Sequence, residues 1–168
     1  MLDLDNFPKE IIIVSPHADD EIIGNYEILM KKDSNFKIIY DASISEDRYK
    51  EAEKIKDIFS NVTHQFTLTI YGFTKMFYCS HSSMYLFPDP INEIHPLHRQ
   101  WGQFGEGLLR NGWPVSFYST NMNVPWLREV NNPQNKEDIL NHLYPSQKSL
   151  WEYEKKYILF EGHYTWIV

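Results

Sequence analysis

Glu10-Ile11-Ile12-Ile13-Val14-Ser15-Pro16-His17-Ala18-Asp19-Asp20-Glu21 is the stretch on which the reading of this 168-residue chain turns. Its first half is apolar and β-branched without alternation. That is the pattern of a strand covered on both faces, as at the centre of a parallel sheet. Ser15-Pro16 ends the strand. Asp19-Asp20-Glu21 then place carboxylates in a first helical turn, where the positive end of the macrodipole favours them. The helix is expected to run to about Lys32.

A second strand is expected over Phe36–Ala42, then a helix from Ser45-Glu46 with Ala52, Ile55, Ile58 and Phe59 on one face, then a strand from Gln65 to Tyr71. This alternation of strand and helix predicts an α/β domain with a mainly parallel sheet. The stretch from Gly72 to Glu93, rich in Ser, Pro, Tyr and Phe, reads as a long surface loop with room for one short strand. Beyond it the pattern gives a helix from Pro96 to about Asn111, weakened by Gly102, Gly105 and Gly107, and a strand over Val115–Tyr118. A helix around Lys136–Leu143 follows. After a break at Tyr144-Pro145, Ser146 would cap a last helix to about Phe160. No repeat or linker divides the chain, so residues 1–168 read as one domain.

Composition narrows the function. Hydrophobic residues make up 42% and aromatic residues 15%, enough to fill a core, which sets disorder aside. Sixteen Lys and Arg against twenty-three Asp and Glu leave a formal charge of −7, the wrong balance for a partner made of polymeric nucleic acid. The single cysteine, Cys79, can build neither an intrachain disulfide nor a Cys-rich metal site. Any metal must therefore use imidazole and carboxylate, and seven histidines are present. The acidic N-terminus lacks the pattern of a signal peptide, and the apolar run Ile11–Val14 is too short for membrane insertion. The expectation is a soluble, cytoplasmic protein.

Pro16 to Glu21 is also the chemically richest segment. In open α/β sheets ligands bind beyond the carboxyl ends of the strands, where this segment falls. A turn there can direct His17 and Asp20 to one point while Asp19 faces a substrate. An imidazole and a carboxylate suit zinc, and a second carboxylate can serve as base for an attacking water. The plainer alternative, an acidic helix start, needs one Asp and not a His with two. His95-Pro96-Leu97-His98 offers two more histidines three apart at a helix start, one able to ligate and one to face substrate. His64, His81, His142 and His163 stand alone. Gly102-Gln-Phe-Gly105-Glu-Gly107 is not a dinucleotide fingerprint. Tyr85, Trp101, Trp113 and Trp126 could stack on a sugar, although core packing is the plainer role.

With these motifs in view, the chain resembles the PIG-L/LmbE-like family of metal-dependent N-acetylglucosamine deacetylases. Pro16-His-Ala-Asp-Asp-Glu21 followed by Gly24 is similar to the family's His-Pro-Asp-Asp-Glu signature. Arg48-Tyr-Lys-Glu51-Ala52, His95-Pro-Leu-His98, and Lys136 with Tyr144-Pro-Ser-Gln147 resemble its later segments, in the same order. Three positions depart from it: Ala18 stands where the family has Pro, Leu97 where it has Asp, and Glu93 where some members have a tyrosine. The resemblance implies a compact, three-layer Rossmann-like fold and an enzyme removing acetyl from an N-acetylated sugar or related small acylated amine. It implies that His17, Asp20 and His98 hold zinc, with another divalent metal such as Fe2+ as substitute. Asp19 would be the general base, His95 would stabilise the tetrahedral intermediate as an imidazolium, and Arg48 would contact substrate hydroxyls or phosphate. Such a protein often forms a homo-oligomer. Alternatives are a sugar-binding protein of the same fold without turnover, and an amidase for a non-sugar conjugate.

Overall fold

The computed structural model describes residues 8–41, 45–67, 73 and 82–164. Strand β1 (Glu10–Ser15) pairs in parallel with β2 (Asn35–Asp41) on one side and with β4 (Met84–Pro88) on the other. Outward from these, β3 (Val62–Thr67) pairs with β2 and β5 (Val115–Tyr118) with β4, both in parallel, and β8 (His163–Tyr164) closes one edge antiparallel to β5. The sheet order is therefore β3-β2-β1-β4-β5-β8. A separate antiparallel ribbon joins β6 (Arg128–Glu129) to β7 (Phe160–Glu161). Strand order reverses between β1 and β4, which makes that crevice the topological switch point of a Rossmann-like α/β fold.

The central strand is apolar throughout because both of its faces are covered. Ile11 and Ile13 pack into one core with helices α1 (Asp20–Leu29), α2 (Glu46–Ala52), α3 (Ile55–Ile58) and α5 (Pro133–Leu143). Ile12 and Val14 pack into a second core beneath α4 (Pro96–Arg110) with Tyr85, Phe87 and Trp101. Two glycines of α4, Gly102 and Gly105, have a packing reason. A Cβ at Gly105 would sit 2.6 Å from the Phe87 ring, so the helix lies directly on β4 only if that position is bare. Gly24 does the same on the opposite face, where a Cβ would meet the Tyr118 ring at 2.3 Å.

Several expectations are corrected. The one short strand for which Gly72–Glu93 had room is present as β4, but it lies at the heart of the sheet and not on the surface, with Tyr85, Leu86 and Phe87 all buried. The expected third strand starts earlier, at Val62, and its positions 68–71 lie outside the described residues, as do Cys79 and His81. Helix α1 stops at Leu29, not Lys32. The second expected helix divides into α2 and α3, and Ile58 is exposed while Ile55 and Phe59 are buried. Helix α5 starts three residues before the expected position, and Asn132 caps it, its Oδ1 accepting from Asn135 N at 3.1 Å. Ser146 caps nothing: its N–H and hydroxyl both donate to the Glu51 carboxylate. The final helix divides into a 3-10 turn (Pro145–Gln147), α6 (Lys148–Tyr153) and α7 (Lys156–Leu159), broken at the non-helical Glu154 (φ −117°, ψ 86°). No helix among the described residues is long and apolar enough to cross a membrane.

Helix α1 is kinked at Asn25 (φ −137°, ψ 22°). An unbroken helix would join Glu27 N–H to Ile23 C=O. Here Glu27 N–H donates to Glu161 Oε2 at 3.1 Å, while Ile23 C=O accepts from Lys136 Nζ at 2.7 Å. Burial holds Lys136 down at about 8 despite Glu161 and Glu27, and raises Glu161 to about 7 despite Lys136.

Beside the kink, His163 is buried with Nε2 3.0 Å from Asn25 Oδ1. Burial, then Arg128 and Lys136, depress it from 6.5 to about 3. Between those values the unfolded chain binds a proton that the native chain refuses, so stability falls as pH falls through that window. Urea unfolding is expected to lose about 2 kcal/mol more between pH 7 and pH 5 in the wild type than in His163→Gln, which cannot titrate. Equal pH slopes for the two proteins contradict this.

Candidate metal centre

The end of β1 delivers the first residues of the site into the switch-point crevice. Asp19 is the only described non-glycine residue with positive φ (125°), a conformation costing on the order of 1–3 kcal/mol. The fold holds it from three sides. His17 N–H donates to Asp20 Oδ2 at 2.8 Å, Asp19 N–H to Glu21 Oε2 at 3.2 Å, and Gln147 Nε2 to Ala18 C=O at 2.7 Å. Glu21 is itself buried and accepts from Ser15 Oγ and the Tyr144 hydroxyl. Burial raises its carboxyl to about 7, opposed by the Tyr144 hydrogen bond.

The second contribution comes from beyond β4. His95 is the N-cap of α4, and His98 lies one turn in, buried. His98 Nε2 stands 2.8 Å from His17 Nδ1 and 3.1 Å from Asp20 Oδ2, and His17 Nδ1 stands 3.4 Å from the same oxygen. These three atoms, each able to ligate once free of its proton, form a triangle close to the edge of about 3.3 Å that zinc–ligand distances give a tetrahedron. This donor set fits a zinc-like cation. His17, His95 and His98 also form a group that could hold a metal ion, with ligand atoms within 4.8 Å of one another.

The expected residues therefore meet, across a separation of 81 residues between His17 and His98. Asp19, Arg48 and His95 line the same cavity of about 570 Å3. Burial, then Asp20, raises the Asp19 carboxyl well above its usual range, and Arg48 partly opposes this. Asp20 is held low by His98 and His17 although burial opposes it. Burial also opposes charge on His98, but Asp20 and Glu93 outweigh it and push the ring up to about 10 in the absence of a cation.

His95 stands edge-on to His17, ring centroids 4.6 Å apart at 89°. Its Nδ1 accepts from Leu97 N–H at 3.2 Å, so the ring as placed is neutral with its proton on Nε2. Burial and the neighbouring His17 and His98 lower its pKa in the same sense. An imidazolium at His95 would have to surrender that helix-capping bond.

Sequence reasoning missed the residues behind His98. Glu93, buried, lies 3.3 Å from His98 Nδ1 through Oε2, and Thr120 Oγ1 lies 3.1 Å from the same nitrogen. Glu93 appeared in the sequence only as a departure from a family pattern. Ser119 and Thr120, just past β5, carried no signal, because only the pairing of β4 with β5 brings them to Glu93.

Removing a vertex of the triangle tests the ligand set. His17→Ala and Asp20→Asn are each expected to weaken zinc binding at least about a hundredfold in chelator competition, with the fold retained, whereas His95→Ala weakens it far less. Undiminished zinc affinity in His17→Ala contradicts the assignment.

Comparison of the chain with protein-family models, with curated proteins and with solved structures gives no match.

Proposed function

We propose that the protein is a metal-dependent hydrolase that removes an acetyl group from an N-acetylated sugar or a related small acylated amine, in the manner of the PIG-L/LmbE-like family it resembles in sequence. One observation carries the reading: His17, Asp20 and His98 converge on a single point at the switch-point crevice, with Asp19 facing the same cavity. A divalent cation such as zinc, held by these three, would polarise the amide carbonyl and acidify a water.

The chain's own residues account for the proton movements. Asp19, raised in pKa by its burial, takes a proton from the attacking water as oxygen bonds to the carbonyl carbon. His95, with Nε2–H available, donates a hydrogen bond to the oxygen where negative charge gathers. As the carbon–nitrogen bond breaks, Asp19 passes its proton to the nitrogen, giving an amine and acetate. Arg48, half-buried in the wall of the same cavity, suits a hydroxyl or anionic group of the substrate. The walls add apolar surface at Met122, Leu150 and Tyr157, enough to face one side of a sugar ring.

Acetate release from N-acetylglucosamine or a simple glycoside of it, by zinc-loaded protein, is the direct assay. Asp19→Asn is expected to keep its zinc and lose at least about a hundredfold in kcat. No acetate from any acylated amine tried, by protein shown to hold zinc, overturns the proposal.

A further inference from the structure

Two acceptor oxygens of a buried carboxylate stand behind His98, and every group around them is a donor. Glu93 Oε1 accepts from Thr120 N–H at 2.6 Å and Ser119 Oγ at 2.9 Å. Glu93 Oε2 accepts from Thr120 Oγ1 at 2.9 Å and faces His98 Nδ1 at 3.3 Å. The Thr120 hydroxyl spends its one proton on Glu93, so toward His98 Nδ1 it presents a lone pair. Nδ1 is thereby surrounded by acceptors alone and must carry a proton.

We infer that Glu93 is a positioning residue that fixes the proton of His98 on Nδ1 and so turns the bare Nε2 toward a cation shared with His17 and Asp20. The inference rests on the metal-centre reading above. Leu97, next to His98 in the chain, packs against the core beneath α4, and the carboxylate behind His98 is that of Glu93. Partners of this kind orient ligating histidines and contribute ten- to hundredfold to metal affinity.

The donor pattern makes Glu93→Gln a sharp probe. Whichever way the amide is turned, its NH2 faces a donor: Thr120 N–H on one side, His98 Nδ1–H on the other. The side that relaxes most readily is the imidazole, which moves its proton to Nε2 and withdraws the ligand.

Zinc affinity, the visible spectrum of bound Co2+, and the nitrogen-15 resonances of His98 would be measured on wild type, Glu93→Gln and Thr120→Val. The expected result is a ten- to hundredfold loss of zinc affinity in Glu93→Gln with a changed Co2+ spectrum. Thr120→Val, which keeps the carboxylate, loses only severalfold and stands in if Glu93→Gln does not fold. His98 Nδ1 reads as protonated in wild type with or without zinc, and as unprotonated in Glu93→Gln. Wild-type affinity, Co2+ spectrum and Nδ1 protonation in a folded Glu93→Gln overturn the inference. If wild type takes no metal, the proposed function fails, while the nitrogen resonances still decide the role of Glu93.

Discussion

Two imidazole nitrogens and a carboxylate oxygen do not rest within 3.4 Å of one another unless something positive lies among them. A proton can serve, and so can a divalent ion. In either case the arrangement is costly, and much of the surrounding structure exists to hold it. The strained turn at Asp19 is clamped by Glu21 and Gln147, and Glu21 in turn is held by Tyr144. Tyr118 reaches across β4 to donate to Val14 C=O at 2.7 Å, tying β5 to the end of β1 just before the site begins. Each of these contacts joins residues far apart in the chain to the one short turn after β1.

Burial and the charges beside each group together set their altered proton affinities. Asp19 and Asp20 are neighbours in sequence and both buried, yet they are driven in opposite directions: two histidines hold Asp20 low against burial, whereas burial with Asp20 and Glu21 raises Asp19 against Arg48 and His98. The turn with positive φ is the reason they differ, since it aims adjacent carboxylates at different surroundings. A pair with divergent affinities is the usual arrangement where one group must stay ionised and another must exchange a proton.

The strand β1 and its polar continuation were legible because an unbroken β-branched run followed by His, Asp and Asp has few other uses. His95 and His98 were legible from spacing at a helix start. Strand β4 was legible only as room for one short strand, because Tyr85, Leu86 and Phe87 sit between serines and prolines, and a run that short carries too little periodicity to place it in the sheet. Glu93, Ser119 and Thr120 were beyond reach for a different reason: their meeting depends on which strands pair, and that is a property of the sheet and not of any segment. The ribbon β6–β7 and the edge strand β8 are two residues each, below what pattern can reveal.

The kink in α1 has a consequence for the order in which the molecule can be built. The helix beginning at the site is completed by groups lying 113 and 134 residues further along, Lys136 on Ile23 and Glu161 on Glu27. Until Lys136 and Glu161 have docked, Ile23 C=O and Glu27 N–H lack the partners that complete that helix. Contacts of such span must close large loops before they return any stability. The pocket's first wall therefore precedes by more than a hundred residues the groups that secure it, so the site is complete only when Lys136 and Glu161 have docked.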